Sequence, residues 1–229
     1  MSRRAERRAA KRAEKEPANK SQRHKVEPQG ENQRAYVQSM NSNDITICVG
    51  PAGSGKSSVA VGVACDWMEE GLVDKIVITR PTVETGGSIG ALPGDISEKV
   101  GPFLIPILEE FYKYIGRDLT NRYLSSGYIE ICPLQYMRGR NFHNTFMILD
   151  ESQNATMDQL KMFITRIGDR SRAIIEGDPD QSDLPAHMKG SLDVLCHKLQ
   201  NLPGVGVCKL EARDIVRNPI IAKVLERLR

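Results

Sequence analysis

Residues 50–57 read Gly50-Pro51-Ala52-Gly53-Ser54-Gly55-Lys56-Ser57, a complete G-x-x-x-x-G-K-[ST] pattern. The chemistry this spacing suits is phosphate recognition. The glycines let backbone N–H groups close around a polyphosphate, Lys56 brings a point charge to the outer phosphates, and the Ser57 hydroxyl is placed for Mg²⁺. Ser58 stands with the loop at the head of a helix-like run over 57–70, whose positive end would face the same anion. A glycine turn ahead of a helix is the plain alternative. The eight-residue match sits between an apolar run at 45–49 and that helix, which is the context phosphate binding needs, so a nucleoside triphosphate with Mg²⁺ is the expected ligand.

Two more segments supply acids at the ends of apolar runs. Thr145-Phe-Met-Ile-Leu-Asp150-Glu151 closes on a carboxylate pair. Asp150 is the metal-side candidate, and Glu151 is suited to orient or deprotonate a water attacking the γ-phosphate, which favours hydrolysis over transfer to a small acceptor. Strand-end acids also serve as helix caps, so the pair draws its meaning from the loop. Glu176-Gly177-Asp178-Pro179-Asp180-Gln181 ends a further run. Gln181 can donate to a phosphate oxygen while accepting from water, and Asp178 can support the metal or fix its loop; the competing reading is a simple Gly-Asp-Pro turn.

The elements that must position these groups alternate. Apolar strand-like runs fall at 45–49, 75–79, 128–132, 145–149, 173–176 and 205–210, and helix-like runs at 32–40, 57–70, 103–115, 157–167 and 190–200. Nearly continuous Ile, Val, Leu and Met suit parallel strands covered on both faces. The expected fold is therefore a three-layer α/β domain with a mostly parallel sheet and ligands at the carboxyl ends of its strands. A last helix is expected after Asn218, with Pro219 in its first turn and Ile220, Ile221, Val224, Leu225 and Leu228 on one stripe.

Composition narrows the function classes. With 229 residues the chain accommodates one substantial domain plus a tail, divided here into 1–29 and 30–229. Residues 1–25 hold ten Lys or Arg against three Glu, a net of +7, which leaves −4 on the remainder of a chain whose total is +3. That tail reads equally as an arm seeking nucleic-acid phosphates and as a solvated or unstructured segment. Glu6, Glu14 and Glu16 argue against a mitochondrial presequence. The five cysteines make an odd count without a C-x-x-C pair and read as reduced thiols. With no membrane-length apolar run and no signal-peptide pattern, a soluble cytoplasmic protein is expected, without a membrane role.

Taken in order, GPAGSGKS (50–57), TRP (79–81), LPGDISEKVGPFLIPI (92–107), YMRGRNFHNTFMILDESQN (136–154), KMFITRIGDRSRAIIEGDPDQSDLP (161–185) and RDIVRNPII (213–221) resemble the PhoH family of phosphate-loop ATPases. The resemblance spans essentially all of residues 30–229 and implies ATP as the nucleotide, a core like that of superfamily-one helicases, and nucleic acid, RNA before DNA, as the partner. It implies that Gly177 to Gln181 couples the γ-phosphate to nucleic acid and that Gln33 reads the adenine edge as a helicase Q motif does; an exposed helix glutamine is the other reading. The chain looks like the short, core-only form of the family, which weakens any expectation of RNA cleavage.

Helicases close a nucleotide between two such cores, and this chain has room for one. Arginines supplied in trans raise phosphoryl-transfer rates by about 10³ to 10⁵. A ring, hexameric by preference, is therefore expected, with Arg213 or Arg217 of one subunit on its neighbour's ATP; the alternative for both is surface ion pairing. Arg80, Arg138 and Arg140 are candidates for a nucleic-acid backbone or for salt bridges, Tyr136 and His143 for stacking, with Tyr136 and Met137 reading equally as core, and 85–90 for a mobile loop. An ATP-dependent helicase-like motor is the first reading, a nucleotide-switched oligomeric platform for RNA or protein the second, and a small-molecule kinase the third.

Overall fold

The computed structural model describes residues 24–81 and 96–215, together with Arg227. The basic tail, the 85–90 loop, Arg217 and the terminal helix lie outside the described residues. The elements run α1 (Glu31–Ser42), β1 (Ile45–Val49), α2 (Lys56–Glu69), β2 (Lys75–Arg80), α3 (Ile96–Ile115), α4 (Arg117–Ser125), β3 (Ile129–Pro133), β4 (Thr145–Leu149), α5 (Met157–Ile164), β5 (Arg172–Gly177), α6 (Ser191–Leu199) and β6 (Val205–Lys209).

The six strands form one sheet in the order β3-β2-β4-β5-β1-β6, and every pairing among them is parallel. Alternation along each strand divides the core into two layers, because successive side chains leave opposite faces. Cys48, Ile76, Ile78, Phe146, Ile148 and Ile174 pack with buried residues of α1, α2, α3 and α4. Ile47, Val77, Met147, Leu149, Ala173 and Ile175 face the other way, onto α5 and α6. The three-layer α/β fold expected from the runs is the fold observed.

The strands after which the phosphate loop and the acidic pair leave the sheet, β1 and β4, both pair with β5. That order brings 50–57, 150–151 and 177–181 to one edge of the sheet, where parallel α/β proteins bind ligands.

Three elements differ from those expected, two of them for local reasons. Helix α3 begins at Ile96 rather than 103. Helix α5, opened by a capping box between Thr156 and Gln159, stops at Ile164 instead of 167. The backbone there is claimed by Phe142, whose N–H donates to Arg166 O while its own O accepts from Gly168 N. Helix α4 was not expected at all: it is a short polar stretch in which only Leu119 and Thr120 are buried, too narrow an apolar face to register as a periodic pattern.

Candidate nucleotide site

The loop between β1 and α2 is tied to the sheet by Gly50, whose N–H donates to Gly177 O at 3.1 Å. A Cβ on Gly50 would lie 2.7 Å from Leu210 O, so this position excludes any side chain. Gly55 caps α2 with φ 88°, left-handed backbone that L residues rarely adopt, and a Cβ there would meet Gln33 Nε2 at 2.7 Å. Within the loop, Ser54 is fully buried and its hydroxyl donates to Pro51 O at 2.8 Å. Lys56 Nζ donates across the loop to Gly50 O at 2.8 Å and Pro51 O at 3.0 Å. The ammonium is thus held where a polyphosphate bound in the loop would take over those contacts.

Asp150 is almost fully buried at the end of β4. Its Oδ1 accepts from Ser57 Oγ at 3.3 Å and from Glu151 N at 2.9 Å. Its Oδ2 is taken by Arg80, through Nε at 2.7 Å and Nη2 at 2.5 Å. Among the described residues there is no cluster of three or more His, Cys, Asp or Glu side chains able to hold a metal by itself. The hydroxyl–carboxylate pair Ser57–Asp150 fits a different arrangement, in which Mg²⁺ arrives with a nucleotide and takes one hydroxyl and one carboxylate from the protein.

Glu151 is exposed and sits in left-handed backbone with φ 53°. Its Oε2 accepts from Gln153 Nε2 at 2.6 Å. Asp178 reaches across to the phosphate loop, with Oδ2 accepting from Ala52 N at 3.1 Å and from Gln181 Nε2 at 2.8 Å. The 177–181 segment is therefore more than a turn: its acid braces the loop and holds Gln181 beside it.

Gln33 is not an exposed helix glutamine. It is 3 % exposed, its Nε2 donates to Ser54 O at 2.9 Å and its Oε1 accepts from Gln29 N at 2.8 Å. The Nε2 end of the amide ties α1 to the loop, and the Oε1 end holds the chain just ahead of α1. Together these groups line a cleft of about 610 Å³ that runs from Asp150, Glu151 and Gln181 past Lys56, Ser57 and Ser58 to Gln29, Gln33 and Tyr114. Ser58 Oγ and Tyr114 OH are 3.4 Å apart on its wall.

The remaining sequence candidates are placed as follows. Arg80 serves Asp150, and Arg140 forks onto Glu130 at 2.5 and 2.8 Å with its guanidinium over the Phe142 ring; both take the salt-bridge reading. Arg138 and Tyr136 are exposed, whereas Met137 is core. The His143 ring accepts from Asp169 N at 3.0 Å. Arg213 is exposed on a short turn, paired with Glu211 at 2.9 Å, and the next residue, Asp214, accepts from Asn32 at 2.8 Å.

Two buried residues beside the cleft were not singled out in the sequence. Glu176 is fully buried on β5; burial first, then the neighbouring Asp150 carboxylate, hold its acid well above the usual range. One oxygen accepts from Tyr36 OH at 3.3 Å and the other has no hydrogen-bond partner among the described residues. An acid inside an otherwise apolar strand was the available signal. Gln153, 5 % exposed, left no comparable mark, because a glutamine in a turn is ordinarily a surface residue.

Comparison with known proteins agrees with this architecture. The "PhoH-like protein" family matches residues 25–229. PhoH-like proteins of Bacillus subtilis and Synechocystis are 45 % and 41 % identical over 194 residues, 85 % of this chain and 61 % and 59 % of theirs. Protein PhoH of Escherichia coli is 34 % identical over 197 residues, 85 % of this chain and 56 % of its own. The chain thus spans about three-fifths of the length of these relatives. Among solved structures, the large terminase of bacteriophage D6E superposes with a TM-score of 0.55 at 12 % identity, over 89 % of this chain and 51 % of that one, a likeness of fold. With the family matched over nearly all of its length and the phosphate loop, acidic pair and Gly-Asp-Pro segment assembled in one cleft, the chain belongs to the PhoH-like family.

Proposed function

We propose that the chain binds ATP with Mg²⁺, hydrolyses it, and couples turnover to binding or remodelling nucleic acid, RNA in preference to DNA. The observation that carries this reading is the approach of Ser57 Oγ to Asp150 Oδ1 at 3.3 Å, with Lys56 beside it and Glu151 next in sequence. When bound, Mg²⁺ supplies charge neutralisation at the phosphates. The chain's own groups do the rest. Backbone N–H groups of 50–57 and Lys56 hold the phosphates, Ser57 and Asp150 hold the metal, and Glu151 orients or deprotonates the attacking water. Gln181, held by Asp178, registers the γ-phosphate, and the amide of Gln33 fixes the base end of the cleft.

Among the described residues, no arginine lines the cleft. Charge developing on the transferred phosphoryl group then has to be met from outside, which favours a ring, hexameric by preference, in which Arg213 or Arg217 serves the adjoining subunit's nucleotide. The same observation favours the second reading, in which a slow ATPase acts as a nucleotide-switched platform for RNA or protein.

Calorimetry with ATP and Mg²⁺, followed by phosphate release with RNA, with single-stranded DNA and without polymer, tests the proposal. Binding, hydrolysis and stimulation by RNA with strand separation are expected of the motor. RNA binding without stimulation leaves the platform, and no binding of ATP ends both readings. Glu151→Gln is expected to bind ATP as before and to stop turnover.

A further inference from the structure

We propose that Gln153 is a positioning residue for the water-activating Glu151 and ties that carboxylate to the loop that senses the γ-phosphate; the inference rests on the hydrolysis reading above. A general base works only if its lone pair is aimed, and Glu151 is poorly constrained by its own chain. Its side chain is exposed and its backbone sits at φ 53°, a strained region for a residue with a Cβ. The side chain that reaches its carboxylate is Gln153, with Nε2 donating to Oε2 at 2.6 Å.

The other end of the same amide is spent on the adjacent loop. Gln153 Oε1 accepts from Asp178 N at 3.0 Å, and Asp178 in turn holds both Ala52 of the phosphate loop and Gln181. One rigid, planar amide therefore spans the acid that activates water and the segment that meets the γ-phosphate. Its neighbours keep it in place. Ser182 Oγ donates to Gln153 O at 2.9 Å, and Asp183 N donates to Asn154 Oδ1 at 2.7 Å, so the turn after β4 and the loop after β5 are laced along their length. Gly177 leaves the necessary room: a Cβ there would lie 2.6 Å from Gln153 Oε1. A displacement of the 177–183 loop, whether by nucleotide or by a polymer bound above it, cannot leave the Glu151 carboxylate where it was.

A merely structural amide would do half of this, supporting the loop through Asp178 N, and two substitutions separate the roles. Gln153→Glu keeps the shape and the acceptor for Asp178 N but replaces the donor with a second carboxylate facing Glu151. Gln153→Leu removes both contacts. The measurements are thermal melting, ATP·Mg²⁺ affinity by calorimetry, and kcat for phosphate release. We expect Gln153→Glu to melt and bind ATP much as the unmodified chain does while kcat falls about 10- to 100-fold, a part of the roughly 10²- to 10⁴-fold that a positioned general base contributes. Gly177→Ala, which pushes on the same amide, should lower kcat in the same manner.

Gln153→Glu turning over at the rate of the unmodified chain would overturn the proposal and leave Gln153 as loop support. A loss of ATP affinity equal to the loss of kcat would overturn it as well, because the defect would then lie in the phosphate loop. If the unmodified chain binds and hydrolyses ATP and Glu151→Gln stops it, the underlying reading stands whatever Gln153 does; if the unmodified chain shows no turnover, that reading fails and takes this proposal with it.

Discussion

Arg80 places two nitrogens on a single oxygen of Asp150, Nε at 2.7 Å and Nη2 at 2.5 Å from Oδ2, and so leaves Oδ1 directed at Ser57. The guanidinium thus orients the carboxylate and keeps an acid that is 3 % exposed compensated inside the sheet edge. A residue with the look of a nucleic-acid contact is, in the folded chain, the counter-ion of Asp150.

Replacing Arg80 should therefore be felt without any polymer present. Arg80→Ala leaves Asp150 buried and unpaired, and removal of one partner from a buried ion pair costs about 3–5 kcal/mol; the partial exposure of Arg80 lowers the expected loss to about 2–3 kcal/mol. Denaturant unfolding measures it. Unchanged stability would return Arg80 to the surface role.

If ATP binds as proposed, Lys56→Ala removes a charge-assisted donor to its phosphates, and hydrogen bonds of that kind contribute about 1.5–3 kcal/mol. ATP affinity should fall roughly 10- to 100-fold in calorimetry, with circular dichroism unchanged, because the hydrogen bonds of Lys56 go to the loop carbonyls of Gly50 and Pro51.

Gly62 on α2 lies against the ring of Tyr114, where an added Cβ would meet Cζ at 2.6 Å. Gly62→Ala should destabilise the fold by about 1–3 kcal/mol through overpacking and loosen the Ser58–Tyr114 wall of the cleft. Combining it with Tyr114→Leu should restore part of the loss, a non-additivity that melting curves of the two single and the double variants would show.

Glu130 gives a pH signature. Hydrogen bonds from Arg140, and then from Lys75, outweigh its partial burial and lower its carboxyl from 4.5 to about 2. A folded-state value below the unfolded one stabilises the chain above about pH 4.5, and the contribution disappears as the pH falls toward 2. After solvent screening at this half-buried site it should amount to about 1 kcal/mol. Glu130→Gln should lose that much at pH 7 and show a correspondingly weaker decline in stability between pH 5 and pH 2.

Much of the sheet was legible because burial on both faces leaves a nearly continuous apolar signal. Strands β1 and β4 fall on the expected 45–49 and 145–149, and β2 and β5 run one or two residues longer than expected. Helix α4 escaped because only two of its residues are buried, and α5 was overrun by three residues because its end is set by a bridge to Phe142, 22 positions before Ile164.

The phosphate-loop pattern and the acidic pair 150–151, which the structure brings to one cleft, were visible in the sequence because each is local: a short spacing or a strand end. The order β4-β5-β1, which seats Glu176 beneath Asp150 and brings Gln153 against Asp178, belongs to tertiary structure. So do the partners of Arg80 and of Gln33, 70 and 21 positions away in the chain. A single sequence records which polar groups exist but not which of them will be desolvated together, and a buried donor or acceptor takes whatever partner the packed strands and helices bring within about 3 Å.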